Sequence, residues 1–211
     1  MYLSRVEIDY GNRKTAKELS HLGAFHNWVE QSFPKEFEKS IRTRKLWRVD
    51  DLNNKKYLLI VSQEKPDIGL LEKYGKKGSG QVKDYDIFLN SLKEGKKYRF
   101  KITLNTTKAV SEGHLNKRGR VYPITDEFEQ LDFLLKRAKK NGFKLEENGF
   151  YLLNSDFDYL KKPNEKKLNL IKAVFQGELE ITDKEKFIYA LSNGIGKKKA
   201  YGFGMMTVIP V

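Results

Sequence analysis

Apolar and polar residues alternate from the start of the chain. Tyr2-Leu3-Ser4-Arg5-Val6-Glu7-Ile8 places its two kinds of side chain on opposite faces, as a half-buried strand does. Asn12 to Lys17 is polar. Leu22, Phe25, Val29 and Phe33 then recur at helical spacing, which predicts a helix running to about Phe33. Pro34 stops it, because the residue before a proline is pushed out of helical geometry. At 100° per residue His26 falls between Phe33 and Leu22, on one edge of the apolar face. Lys45 to Val49 and Tyr57 to Val61 read as strands, and Asp50-Asp51-Leu52-Asn53-Asn54 between them carries the turn chemistry of a hairpin. Asp67 to Tyr74 reads as a short helix. Gly75 to Gly80 is flexible and basic, and Val82 to Leu92 is open between a strand and irregular structure. This half reads βαββαβ.

Lys93-Glu94-Gly95-Lys96-Lys97 is the expected linker. Beyond it Tyr98 to Leu104 alternates again. Asn105 to Gly119 reads as a basic, polar loop carrying His114, Lys117 and Arg118, and Arg120 to Ile124 as a short edge strand. Thr125 is the expected N-cap of an amphipathic helix whose apolar face is Phe128, Leu131, Leu134, Leu135 and Ala138, ended by Asn141-Gly142. Phe150 to Leu153 and Leu168 to Ile181 read as strands. Thr182 is the expected cap of a second helix through Asn193, and Phe203 to Val208 is the last strand. The expectation is an α+β protein with two copies of one small unit, residues 1–92 and 98–211, repeated in element order but not in sequence.

Charge changes the picture from fold to partner. Lys and Arg number 41 against 28 Asp and Glu, a net charge of +13. Nucleic acid is the polyanion that suits such a balance first, an anionic membrane second. The membrane reading finds no support: no apolar run approaches the ~18 residues of a spanning helix, and Asp126 to Lys140 is basic only toward its C-terminal end. The first residues alternate like a strand and do not resemble a signal peptide. The absence of cysteine excludes disulfides and thiolate catalysis. The histidines His21, His26 and His114 have no metal-ligand spacing, and nothing in the chain calls for a metal or cofactor.

Three stretches carry candidate chemistry. Gly194-Ile195-Gly196-Lys197-Lys198-Lys199-Ala200-Tyr201-Gly202-Phe203-Gly204 sets two glycine-X-glycine pairs around three lysines. Gly194, Gly196, Gly202 and Gly204 permit close approach of backbone amides to an anion, and Lys197, Lys198 and Lys199 add charge. The stretch fits neither nucleotide-binding glycine fingerprint, and a solvated surface loop has the same composition. Asp156 to Lys167 holds a Pro163-Asn164 turn between two lysine pairs, Lys161-Lys162 and Lys166-Lys167. This is either a basic β-hairpin able to enter an RNA groove or a loop that lysines keep unpaired. His26 is either a satisfied core-edge histidine or a rigidly held proton-transfer group.

The glycine-rich stretch resembles the C-terminal signature of repeat-associated RNA-processing proteins of CRISPR systems, and of the CasE (Cse3) endoribonuclease family of type I-E systems in particular. Met1 to Val6, Lys45 to Arg48 and Ala173-Val174-Phe175-Gln176-Gly177-Glu178-Leu179 are similar too, so the resemblance runs from end to end. It implies two tandem ferredoxin-like (RRM-like, βαββαβ) domains, the first carrying the catalytic histidine. It implies a cytoplasmic, metal-independent endoribonuclease that cleaves the repeat hairpins of CRISPR precursor RNA by 2′-OH attack. The products would bear a 5′-hydroxyl and a 2′,3′-cyclic or 3′-phosphate, and the RNA would be retained in the type I-E surveillance (Cascade) complex. His26 matches the family's active-site histidine on the first helix, with His114 the second choice. Lys161, Lys162, Lys166 and Lys167 match the hairpin that engages the RNA stem. At Gly23 the chain departs from members that carry a tyrosine three residues before the histidine. Another hydroxyl or a lysine in its place, a slow enzyme, and a non-catalytic RNA-binding subunit all remain open.

Overall fold

The computed structural model describes residues 1–111, 119–161 and 167–211. The first half runs β1 (Tyr2–Glu7), α1 (Arg13–Glu18), α2 (Leu22–Gln31), α3 (Pro34–Glu38), β2 (Lys45–Leu52), β3 (Lys55–Ser62), α4 (Ile68–Leu71) and β4 (Gln81–Asp84). Its four strands form an antiparallel sheet in the order β2-β3-β1-β4. First and third strands lie at the centre, which is the ferredoxin-like order. The β2–β3 hairpin turns on Asn53 and Asn54, both left-handed, a conformation asparagine tolerates better than most residues.

After α5 (Asp86–Ser91) the pattern repeats. The elements are β5 (Lys97–Leu104), β6 (Thr107–Val110), β7 (Arg120–Pro123), α6 (Glu127–Ala138), β8 (Phe143–Lys144), β9 (Phe150–Leu160), β10 (Leu168–Ile181), α7 (Lys184–Asn193) and β11 (Met206–Pro210). The second sheet has the order β11-β5-β10-β8, with β9 paired along β10, while β6 and β7 form a ribbon of their own. Both halves are therefore α+β and ferredoxin-like, as expected.

Several local expectations need correction. The helix expected to end near Phe33 is α2, and two short helices that were not expected flank it: α1 in the stretch read only as polar, and α3 beyond Pro34. His21 is extended, and its Nδ1 accepts the Gly23 amide at 3.1 Å, so it caps α2 and breaks the run. Pro34 opens α3, at a first turn where the missing N–H costs nothing. Val82 to Leu92 divides into strand and helix. Part of the segment read as a basic loop pairs as β6 with β7. The helix caps lie one residue later than expected: Asp126 accepts from the Glu129 amide and Asp183 from the Lys186 amide. The last strand begins at Met206 instead of Phe203.

The two sheets share their cores. Leu46, Val61 and Tyr85 pack with Phe100, Ile102, Phe175 and Met206. On the other side Trp28, Phe33, Trp47 and Ile60 pack with Leu160, Leu170 and Phe203 from the second half. β3 is covered on both faces, which is why Leu58-Leu59-Ile60-Val61 is continuously apolar. Among the described residues no helix is long and apolar enough to cross a membrane.

Candidate active site

His26 stands on α2, one turn before Glu30. Leu22, Phe25, Trp28 and Val29 are buried and fix the helix against the first sheet. The imidazole lies at the edge of that packed face with 21% of its side chain exposed. It opens into a cleft of about 430 Å³ bounded by Glu30, Arg42, Thr43, Arg44, Lys45, Ala200 and Tyr201. Glu30 organises the cations. One of its oxygens is 3.9 Å from His26 Nδ1, and the other is 3.3 Å from Arg42 Nε and 3.4 Å from Lys45 Nζ. Lys45 is buried and also holds Glu36 at 2.6 Å. Burial pushes the Glu36 carboxyl up, but the Lys45 ammonium and the hydroxyl and amide of Thr43 outweigh it and hold the group ionised.

Arg42 Nη2 lies 3.3 Å from His26 Nε2. A guanidinium only donates, so Nε2 presents its lone pair and the proton of the neutral ring sits on Nδ1, toward Glu30. The imidazole titrates below its ordinary value. Burial is the largest cause; Glu30 opposes it, Arg42 and Lys45 reinforce it, and the Ala200 carbonyl opposes it. At neutral pH the ring is a free base with its lone pair facing a cationic cleft.

The glycine-rich loop supplies the opposite wall. It lies along β2, and the glycines make this possible. A Cβ at Gly202, whose φ is +84°, would stand 2.7 Å from the Trp47 ring. Trp47 Nε1 donates to the Ala200 carbonyl at 3.0 Å. The buried Arg48 donates to the carbonyls of Lys101 and Met205 and to Thr207 Oγ1, while a two-pronged pair with Asp50 holds its other side. Seated this way, Tyr201 meets the His26 ring edge-on with centroids 5.4 Å apart.

The predicted loop residues divide by role. The Gly194 amide donates to Ala190 and the Gly204 amide to Thr103, so both are spent inside the protein. Gly202 is buried against Trp47. Gly196, Lys197 and Lys198 are exposed. Lys199 is half-buried and donates to the Gly194 carbonyl at 3.0 Å; burial, then the nearby Arg44, lowers its pKa.

The hairpin reaches the same helix. Exposed Lys161 follows β9, and its carbonyl, with the His21 ring, fills the space where a side chain at Gly23 would begin. A tyrosine there would need both to move. Lys167 places its Nζ 3.7 Å over the Tyr159 ring. Lys162 and Lys166 lie outside the described residues, as do His114, Lys117 and Arg118.

The sequence reading did not single out Glu30, Arg42, Arg44, Lys45 or Tyr201. Two signals were available: a glutamate four residues after His26, and three cations in the four residues Arg42-Thr43-Arg44-Lys45. Nothing local links Tyr201 to His26; only the seating of the loop on β2 joins them.

A family model described as CRISPR associated protein matches residues 1–210. The CRISPR-associated endoribonuclease Cse3 of Thermus thermophilus is 24% identical over 221 residues, covering 100% of both chains. A solved structure of Thermus thermophilus Cse3, bound to an RNA representing a pre-cleavage complex, matches with a TM-score of 0.80 at 23% identity, over 99% of this chain and 98% of that one. A chain of a CRISPR RNA-guided surveillance complex in its pre-nicking state matches with a TM-score of 0.73 at 21% identity, over 100% of both. The structural likenesses agree with the twin ferredoxin-like sheets, and the family match extends from the first strand to the last. This chain belongs to the CRISPR associated protein family.

Proposed function

We propose that the protein is an endoribonuclease that binds the repeat hairpins of CRISPR precursor RNA and cleaves them with His26. It then keeps the product as a subunit of an RNA-guided surveillance complex. The observation that carries this reading is the neutral His26 ring with Nε2 turned into a cleft lined by Arg42, Arg44 and Lys45. The relatives support it: one is an endoribonuclease, one is bound to RNA, and one sits in a surveillance complex.

The chemistry needs no metal. His26 Nε2 takes the proton of a ribose 2′-OH, the O2′–P bond forms, and the P–O5′ bond breaks. The 5′-oxygen leaves with a proton from the imidazolium or from solvent. The products are a 2′,3′-cyclic phosphate, which opens to a 3′-phosphate, and a 5′-hydroxyl. The cations of the cleft stabilise the extra negative charge on the phosphoryl group. Residues 1–92 supply the histidine. Residues 98–211 supply the grip: Lys161, Lys162, Lys166 and Lys167 on the hairpin engage the stem, and Gly196, Lys197 and Lys198 contact phosphates. Gly194, Gly202, Gly204 and Lys199 shape the loop that presents them.

Labelled repeat RNA tests this directly. Wild-type protein cleaves it in EDTA, a 2′-deoxy substitution at the scissile position blocks cleavage without blocking binding, and His26→Ala lowers the rate by about 10²–10⁴-fold with binding retained. Binding without cleavage by the wild-type protein would assign it a purely structural role, the reading that Gly23 favours. Cleavage that vanishes in EDTA would replace the metal-free mechanism.

A further inference from the structure

Arg42 occupies the atom that the reaction requires. Its Nη2 lies 3.3 Å from His26 Nε2, and a guanidinium has no lone pair to offer, so it is the Nε2 lone pair that receives the contact. A general base uses that same lone pair to accept the 2′-OH proton. In the RNA-free protein, then, the base is capped by a cation.

The cap is built to come off. Arg42 is 69% exposed, and its second tie, Nε to Glu30 Oε2 at 3.3 Å, is a partly solvated ion pair. The backbone on both sides is pinned: the Ile41 amide donates to the Glu36 carbonyl at 3.0 Å, and the Thr43 amide to the Glu36 carboxylate at 3.1 Å. The side chain can exchange partners without the chain moving. Lys45 and Lys199 are less free to do so. Lys45 is committed to Glu36 and Glu30, and Lys199 to the Gly194 carbonyl. Arg44 lines the cleft but makes no ion pair among the described residues.

We propose that Arg42 is a catalytic residue that trades His26 and Glu30 for the non-bridging oxygens of the scissile phosphate, so that substrate arrival uncovers the base. This inference rests on the reading of His26 as that base. The fork of a guanidinium matches two phosphate oxygens, which a carboxylate edge and one imidazole nitrogen do not match as well. One movement then has two effects. It places a cation on the phosphoryl group, where negative charge grows, and it frees the Nε2 lone pair. The charged and titratable groups facing the ring are Glu30 from α2, Glu36 from α3, Arg42 and Arg44 from the segment leading into β2, Lys45 at the start of β2, and Tyr201 from the glycine-rich loop. Moving Arg42 onto a phosphate removes one cation from this set and adds an anion, so the ring becomes more basic as the proton becomes available.

Two measurements test this. The first is an NMR titration of His26 in the RNA-free protein: Arg42→Ala raises its pKa relative to wild type. An unchanged titration would mean that the guanidinium does not sit on the ring, and would overturn the proposal even if the protein proved not to cleave RNA. The second compares single-turnover cleavage of the repeat hairpin with binding of its non-cleavable 2′-deoxy form. Arg42→Ala slows cleavage by about 10²–10³-fold, the usual effect of removing one charge-stabilising donor. It weakens binding only a few-fold and lowers the salt slope of binding by about one. Arg42→Lys, which keeps the charge and loses the fork, recovers part of the rate. Cleavage by Arg42→Ala within about threefold of wild type, or a loss seen wholly in binding, overturns the proposal. If wild-type protein binds the hairpin without cutting it, the functional reading fails, and the titration still decides the contact.

Discussion

At the scale of single residues, the proposed chemistry depends on how His26 is held. Burial, Arg42 and Lys45 keep the ring neutral, while Glu30 and the Ala200 carbonyl pull toward protonation. A base must be unprotonated to act, so under the proposed function cleavage should hold at neutral pH and fall as acid drives the pH through the His26 pKa, which lies below its ordinary value. Glu30→Gln removes the nearest carboxylate and moves that acid limb to lower pH; Arg42→Ala moves the RNA-free titration upward. A pH–rate series on the first variant and an NMR titration on the second separate the two influences by sign. The place of His26 on the edge of an amphipathic helix was legible from spacing alone, while its catalytic role was implied only by the family resemblance. Its partners were not. Arg42 and Lys45 are linked to Glu30 by the return of the chain after α3, and periodicity does not encode that return.

At the scale of elements, the glycine-rich loop and β2 form one unit. The loop was visible as composition, but composition did not tell which glycines permit packing and which leave amides to solvent. Gly202 and Gly196 separate the two uses. Both are left-handed, so an alanine at either meets the ~1–2 kcal/mol conformational cost of that region. At Gly196 the new Cβ meets only ordinary contact with Leu104, whereas at Gly202 it meets the Trp47 ring at 2.7 Å. Gly202→Ala therefore costs more stability than Gly196→Ala, read as a larger drop in thermal midpoint. It also lifts Ala200 and Tyr201 from His26, so its cleavage rate falls more than its binding of the hairpin. Equal effects of the two substitutions would show that the loop is not seated on Trp47. The hairpin of β9 and β10 was likewise expected from two apolar runs around a Pro-Asn turn. That Lys161, just past the end of β9, would abut Gly23 was not foreseeable, since the contact joins residues more than a hundred positions apart.

At the scale of the whole molecule, the two sheets behave as one body. Their cores cross-pack, and Arg48 of β2 donates into β5 and into the segment before β11 while pairing with Asp50, itself 3.1 Å from Lys101 Nζ. Removing one partner of a buried ion pair typically costs about 3–5 kcal/mol, because the other charge stays buried. Arg48→Ala should cost that order in denaturant unfolding, and wild-type protein should unfold in a single calorimetric transition. Two separate transitions would contradict the shared core. By itself the sequence determined most of the longer elements, the repeated α+β order, the net positive charge and the helix carrying His26. Local propensity, side-chain periodicity and net charge act within a few residues or sum over all of them, and each can be read along a line. The tertiary structure alone decided that Glu30, Arg42, Lys45 and Tyr201 surround one imidazole: the return of the chain after α3 brings the cations to Glu30, and Trp47 and Arg48 seat the loop that brings Tyr201. Those contacts depend on how two sheets dock and where a loop closes, and residues distant in the chain carry no local mark of meeting.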